Sequence, residues 1–528
     1  MLLFITLLEF LLILLCTVYL FQRCANNCSW GGVICRITAI PVLFLLAFII
    51  GGQLSSLYNT GKYIEVLTLS NMDAYKDVGL KVLLSSSLII VVCLFLTVFV
   101  AITARRGWYK KIRWFIVLPC LLVFFANPNG AILNFGKTYY AYLNQSMFSP
   151  NAKMRRLQQN LYGHDDTYSD DSDEAKILDL HNKNIVVIFA EGFSAEWIDK
   201  FNKYSDLTPN LDRFLAESLY FDNYYNHTAA TFRGLRGQLT SSYQYRGGYN
   251  GKKDGLGQVD AENIKKSLTD SLISVPYILK DNGYHSYFQS AHTMKYQLNL
   301  MLQTLEFDKV YGSEDVNGSD NDLTDQQIFS ALGSLIKQDK LQKPYFLGAY
   351  TVGTHIGQNS PDVKYSDGSN VMLNTIRNFD DSFGKFWNSV KDRKDLVIIF
   401  TADHAAYPSK LYNETFKTKR EYFIDKIPFA IWGQGIKPLV IDAHGRNSLD
   451  FAPTILQTMG IKHAFNYFLG CSLFSSVCPE KFEYVTAIGD DFVKTPELRL
   501  LNSGNSEDKT MIQKIRDFYN LSEDRRFL

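Results

Sequence analysis

Leu396-Val-Ile-Ile-Phe-Thr-Ala-Asp-His404 is the stretch that decides the fold. It begins as an unbroken apolar run with β-branched residues in its middle, the pattern of a strand buried on both faces. It stops on Asp403 and His404, a hard oxygen donor beside an imidazole, and that pairing is common at metal ions. Asn184-Ile-Val-Val-Ile-Phe-Ala-Glu191 has the same form and also ends in a carboxylate. Either run alone fits ordinary sheet core closed by a capping acid. Two such strands delivering acids at the same end predict a metal site at the carboxyl edge of an open α/β sheet, where chemistry gathers.

Working outward, strand-like runs recur at 285–290, 345–350, 428–432 and 484–488. Helical patterns fill the gaps at 209–218, 274–282, 325–338 and 374–390. The alternation predicts a mostly parallel sheet flanked by helices. Beyond about Asn502 the chain is highly charged and reads as a surface helix with a loose tail. Four parts follow: an apolar anchor over 1–128, a connector over 129–183, the α/β domain over 184–495 and a charged C-terminal segment over 496–528.

The anchor carries apolar segments at 2–21, 37–58 and 82–102, each long enough to span a bilayer, and a shorter one at 112–126. The first lacks the basic start and small-residue cleavage site of a signal peptide. Glu9 within it is expected near the membrane interface. Arg23 and Arg36 lie between spans one and two, and Arg105, Arg106, Lys110, Lys111 and Arg113 lie between three and four. The positive-inside bias puts both loops in the cytoplasm. If 112–126 crosses, both termini and the α/β domain then lie outside.

In the connector, residues 153–162 form a basic amphipathic piece suited to a membrane surface, and the acidic run 164–174 reads as a solvated linker. The 54 basic and 53 acidic residues nearly cancel, which points to no nucleic-acid partner. Cys471 and Cys478 are the two cysteines of the polar part, either a small disulfide loop or two buried thiols.

Metal-assisted displacement needs a nucleophile or an activated water. Asn226-His-Thr-Ala-Ala-Thr-Phe-Arg-Gly-Leu-Arg-Gly-Gln-Leu-Thr-Ser241 offers Thr228 and Thr231, with Arg233 and Arg236 and a Gly-containing helix start suited to an anionic centre. A threonine hydroxyl is a poor nucleophile until a metal lowers its pKa. On local sequence alone the stretch fits a threonine-rich helix cap better than a catalytic turn.

The run 184–194, then Leu207-Thr-Pro-Asn-Leu-Asp-Arg-Phe214, then Thr401-Ala-Asp-His404 together resemble the alkaline-phosphatase/sulfatase superfamily. The apolar anchor ahead of them narrows the likeness to its membrane-bound lipoteichoic-acid synthase and phosphoethanolamine/phosphoglycerol transferase branch. The likeness extends through Ser448-Leu-Asp-Phe-Ala-Pro-Thr454 and Phe468-Leu-Gly-Cys-Ser-Leu-Phe474. It implies an alkaline-phosphatase-like sheet and one divalent ion, Zn²⁺ or Mn²⁺, held by Glu191, Asp403, His404 and the nucleophile. Counting back from Leu239-Thr-Ser241, and matching Phe232-Arg233-Gly234, puts Thr231 rather than Thr228 in the nucleophile's place. His355 falls where the family has a substrate-site histidine.

The sequence also departs from the pattern. Thr-Ala-Asp-His-Ala405 replaces the family's glycine after the histidine, leaving that turn less free. Where synthase relatives bind the head group with a histidine and an arginine, Ser290 and Leu298 stand; His292, Lys295, Tyr296 and Arg233 are the substrate-binding candidates. The resemblance implies an enzyme of a bacterial inner membrane with a periplasmic or extracellular catalytic domain. It would move phosphoglycerol, or phosphoethanolamine, from a membrane glycerophospholipid to an envelope glycan or lipid-linked saccharide through phospho-Thr231. The rival readings are a phosphodiesterase, phosphatase or sulfatase-like hydrolase, and a non-catalytic membrane-anchored binding protein. A sulfatase proper is disfavoured, because neither Cys nor Ser stands at 231 and no proline follows at the signature spacing.

Overall fold

The computed structural model describes residues 2–25, 30–64, 80–105, 130–145, 164–166, 178, 180–244, 261–268, 272–355, 362–420, 422–461, 463–466, 468–475, 482–489 and 491–521. They form two compact units, Met1–Asn144 with Pro408–Thr418, and Gln145–Tyr407 with Lys419–Leu528. The short apolar segment 112–126 and the amphipathic piece 153–162 lie outside the described residues.

The first unit contains helices α1 (Leu2–Ala25), α2 (Trp30–Thr60), α3 (Leu80–Arg105) and α4 (Ala131–Gln145). Within α1 to α3, Leu2–Phe21, Pro41–Asn59 and Val82–Ala104 are long and apolar enough to cross a membrane. Side chains such as Phe4, Phe48 and Phe95 point outward, as lipid-facing residues do. Gly51 lets α2 and α3 approach closely, since a Cβ there would sit 3.0 Å from the Ile90 Cα. Glu9 is buried rather than exposed at an edge: its Oε2 accepts the Ala131 N–H at 2.7 Å, at the first turn of α4. Gln53 Nε2 donates to the Ala131 carbonyl at 3.0 Å while its Oε1 accepts the Ile64 N–H at 2.8 Å. Apolar surroundings require such internal pairing, because no water is at hand to satisfy these groups.

The second unit is built on an eight-stranded sheet in the order β5-β4-β6-β2-β7-β8-β3-β9. Its strands are β2 (Asn184–Ala190), β3 (Leu219–Asp222), β4 (His285–Gln289), β5 (Lys309–Tyr311), β6 (Tyr345–Tyr350), β7 (Leu396–Ala402), β8 (Phe429–Gly433) and β9 (Leu439–Asp442). Strands β2, β6 and β7 are buried at every residue, which is why their sequences carry no polar alternation. The sheet is parallel except at β8, which runs antiparallel to both β7 and β3. An apolar run such as 428–432 announces a strand but not its direction.

Helices α5 (Pro209–Ala216), α6 (Thr231–Thr240), α7 (Asp325–Lys337) and α8 (Val371–Val390) belong to this unit. Phe400 on β7 meets Phe193, Phe214, Phe379 and Phe383 with ring centroids 5.5–6.4 Å apart. Each such ring taken from water contributes roughly 1.5–3 kcal/mol before entropy is counted. That aromatic layer fixes the two helices against the strand that ends in Asp403.

Two smaller sheets complete the unit. The run 484–488, expected with the main sheet, instead supplies β11 (Val485–Ile488), which pairs antiparallel with β12 (Asp491–Lys494), and β12 with β13 (Arg499–Leu500). The C-terminal helix α9 (Ser506–Leu521) buries Ile512 and Ile515 in the same cluster as Phe482, Val485 and Phe492. Within the acidic run, β1 (His164–Asp166) pairs antiparallel with β10 (His463–Asn466). Cys471 is disulfide-bonded.

Candidate active site

Strands β2 and β7 lie side by side in register, Ala190 opposite Ala402, so the next residues, Glu191 and Asp403, emerge together at the carboxyl edge. The turn after Glu191 passes through Gly192 at φ +50°, a left-handed conformation that favours glycine. Its N–H donates to Asp403 Oδ1 at 2.8 Å, and the His404 N–H donates to the same oxygen at 2.7 Å. Asp403 Oδ2 is left buried with no hydrogen-bond partner. His404 Nδ1 lies 2.8 Å from the Ala405 carbonyl, which places the ring proton on Nδ1 and frees Nε2. That Nε2 stands 3.5 Å from Glu191 Oε1 and 3.4 Å from Asp403 Oδ2. One ligand atom from each of the three buried residues lies within 4.8 Å of the others.

Thr231 opens α6, and its Oγ1 donates to Glu191 Oε2 at 3.0 Å. The residue before it, Ala230, sits at φ +73°, ψ 140°, a strained conformation for a side chain with a Cβ. Helix α6 is pressed onto the end of β7. A Cβ on Gly234 would fall 2.2 Å from the Asp403 carbonyl oxygen, and Gln238 Nε2 donates to the Ala402 and Asp403 carbonyls at 2.9 and 3.2 Å. Thr228, the other hydroxyl candidate, donates instead to the Ala487 carbonyl at 2.9 Å. Arg233 is buried, with Nε donating to the Ala229 carbonyl at 3.0 Å.

The electrostatics fit a cation. Burial works against the charge on Glu191, but His404, His355 and the hydrogen bonds from Tyr350 and Thr231 hold its carboxyl below the usual range. Burial, with the Glu191 charge, pushes Asp403 well above it. Burial also depresses His404, against the pull of Glu191. Two carboxyl groups and an imidazole in one buried pocket, with an unpaired oxygen and a ring nitrogen converging, suit a divalent cation. Positive charge there would stabilise both carboxylates in their ionised form.

Beyond the triad, His355 sits half-buried on the turn after β6, its N–H bonded to the Val352 carbonyl at 3.1 Å. That turn is held by Asp325, whose Oδ1 accepts the Val352 and Gly353 N–H groups at 3.2 and 2.9 Å. Burial pushes the Asp325 carboxyl up to about 6. The capping box of Thr324 and Gln327 fixes the start of α7 that presents it. The His292 and Tyr296 rings meet at a tilt with centroids 4.3 Å apart, and the His292 ring lies 5.9 Å from that of Tyr350. Tyr296 also meets Phe232, the neighbour of Thr231, at 6.2 Å. His292 Nδ1 is paired with Asp322 at 2.9 Å. Lys295 is 77 % exposed and bonded to Asp320 at 2.9 Å, so its ammonium is engaged at the surface. The alanines after His404 are accommodated without a left-handed backbone. The Ala406 N–H donates to Ser194 Oγ at 3.1 Å and its carbonyl accepts from Arg420 at 2.6 Å.

Sequence reasoning missed two residues. Tyr350, whose hydroxyl donates to Glu191 Oε2, reads in sequence as the last core residue of a strand. Asp325 reads as an ordinary helix-start acid.

Comparison with known proteins gives likenesses of family, of sequence and of fold. The sulfatase family model matches residues 183–461. A 2,3-bisphosphoglycerate-independent phosphoglycerate mutase of Wolbachia pipientis wMel is 35% identical over 98 residues, 19% of this chain and 18% of that protein, so the match spans less than a fifth of the relative. Among solved structures, an alkaline phosphatase superfamily protein from Vibrio parahaemolyticus superposes with a TM-score of 0.54 at 18% identity, over 73% of this chain and 100% of that one. The lipoteichoic acid synthase LtaP from Listeria monocytogenes gives 0.51 at 16% identity, over 70% and 97%. Both likenesses are of fold.

Proposed function

The chain belongs to the sulfatase family, and from that premise we propose that it is a membrane-anchored, metal-dependent transferase. It moves phosphoglycerol, or phosphoethanolamine, from a membrane glycerophospholipid to a hydroxyl of an envelope glycan or lipid-linked saccharide. The observation that carries this reading is the Thr231 hydroxyl bonded to Glu191 in a buried pocket shared with Asp403 and His404. The three membrane-length helices fit a donor that stays in the bilayer.

Glu191, Asp403 and His404 would hold the ion, which when bound neutralises phosphoryl oxygens and makes the threonine hydroxyl more acidic. Thr231 Oγ attacks the donor phosphorus, its proton passing to Glu191 Oε2, the acceptor it already faces. The bond from phosphorus to the diacylglycerol oxygen breaks, and His355 gives that oxygen a proton. The product is a phosphodiester on Thr231. An acceptor hydroxyl then attacks the same phosphorus, its proton goes to His355, and Thr231 leaves and recovers its own. Rigid placement of nucleophile and charge supplies most of the acceleration. The chain sits in a bacterial inner membrane with this site on its outer side.

Full-length protein incubated with phosphatidylglycerol or phosphatidylethanolamine in nanodiscs, quenched in acid and digested, should yield a Thr231 peptide heavier by phosphoglycerol or phosphoethanolamine. An unmodified Thr231 under turnover would overturn the covalent route. Release of free head group with no acceptor product would replace the transferase by a hydrolase.

A further inference from the structure

Glu191 is gripped at three points by one short segment, the end of β6 and its turn. The Glu191 N–H donates to Thr351 Oγ1 at 3.3 Å, and Thr354 Oγ1 donates to the Glu191 carbonyl at 2.5 Å. The third grip is on the side chain, where the Tyr350 hydroxyl donates to Oε2. Register explains the reach: Tyr350 lies opposite Phe189 on the neighbouring parallel strand, two residues before Glu191. The two carboxylate oxygens are thereby made unequal. Oε2 takes the phenol and the Thr231 hydroxyl, while Oε1 faces His404 Nε2.

We infer that Tyr350 is a positioning residue for the metal centre, holding Glu191 as a one-oxygen ligand with Oε1 turned to the cation and Oε2 kept for the nucleophile's proton. The inference rests on the metal-dependent reading above. Tyr350 is 2% exposed and its ring packs on His292, so the phenol cannot turn to solvent for another partner. A phenylalanine would fill the same space, and a core role alone would need nothing more than the ring. Without the hydroxyl the carboxylate is free to rotate, and either the cation or Thr231 loses its oxygen. Partners of this kind, one bond behind a ligand, typically set metal affinity within a factor of about 10 to 100.

The test uses full-length protein in nanodiscs, stripped with chelator and titrated with Zn²⁺ or Mn²⁺ alone by calorimetry. Tyr350→Phe should bind the ion about 10-fold or more weakly, while its metal-free melting curve overlays that of the wild type. Replacing Tyr350 with 4-aminophenylalanine, which restores an N–H donor, should recover the affinity. An unchanged dissociation constant in Tyr350→Phe overturns the inference, as does failure of 4-aminophenylalanine to recover it. If Tyr350→Phe does not fold, the comparison of 4-aminophenylalanine with wild type decides alone, parity supporting the role and loss overturning it. Wild-type protein that binds neither ion would instead overturn the metal-dependent reading, a different result from binding that is indifferent to Tyr350.

Discussion

Glu191, Asp403 and His404 stand on two adjacent strands in register, whereas His292, Lys295 and Tyr296 belong to the loop that follows β4. On the strand side, backbone N–H groups, a carbonyl and hydroxyls occupy the ligand atoms not aimed at the centre, and Asp403 Oδ2 and His404 Nε2 face it. On the loop side, the charged partners are solvent-facing: Asp322 is 49% exposed and Asp320 62%. In enzymes generally, groups that must be placed to a fraction of an ångström sit on rigid elements, and recognition of the variable part of a substrate falls to loops. The comparison predicts that substitutions on the first side are severe and that those on the second alter preference or do little.

The largest effect should come from Thr231→Ala. With no oxygen to form the diester, turnover of phosphatidylglycerol or phosphatidylethanolamine should fall by about 10³-fold or more, while Zn²⁺ still binds by calorimetry. Retained turnover would mean that water or the acceptor attacks directly. His355→Gln should come next, with kcat lowered about 10²-fold and the loss smaller for a donor whose leaving group is more acidic. Equal losses for all leaving groups would show that His355 binds rather than protonates.

These residues differ in how plainly the sequence announces them. The convergence of Glu191 with Asp403 and His404 was legible because a buried strand announces itself by a continuous apolar run, and an acid at its end stands out. Thr231 was legible only through family likeness. In local sequence it is one of several hydroxyls, and the strain at Ala230 that marks it leaves no trace in residue type. Tyr350 acts on the neighbouring strand's end and Asp325 on the turn after β6, with partners 159 and 27–28 positions away. No periodicity reports such contacts. Strand direction was hidden for the same reason: the 428–432 run is as apolar as its neighbours, yet β8 runs against them. Within the acidic run, whose charge suggests solvation, the backbone of His164–Asp166 pairs with β10, a partner distant in the chain that no local pattern reports.

Gly234→Ala sharpens the contrast from the packing side. A Cβ there would meet backbone, the Asp403 carbonyl at 2.2 Å, and backbone cannot move aside as a side-chain tip can. Helix α6 must lift from β7, at a cost of about 1–3 kcal/mol, taking Thr231 away from Glu191. Thermal melts should show the destabilisation, and activity should fall even at temperatures where the protein stays folded. A variant as stable and active as wild type would mean the two elements are not in the contact that brings nucleophile and acid together.

Lys295→Ala should do least, although Lys295 was among the sequence candidates for holding substrate. Its ammonium is exposed and already paired with Asp320, and solvent screens a pair in that setting. Removing it should leave stability unchanged and KM within about threefold. The result that would break the comparison is a large rise in KM that high salt does not mimic. Lys295 would then have to leave Asp320 for the phosphodiester during turnover, and the loop after β4 would be part of the machinery that grips the reacting group.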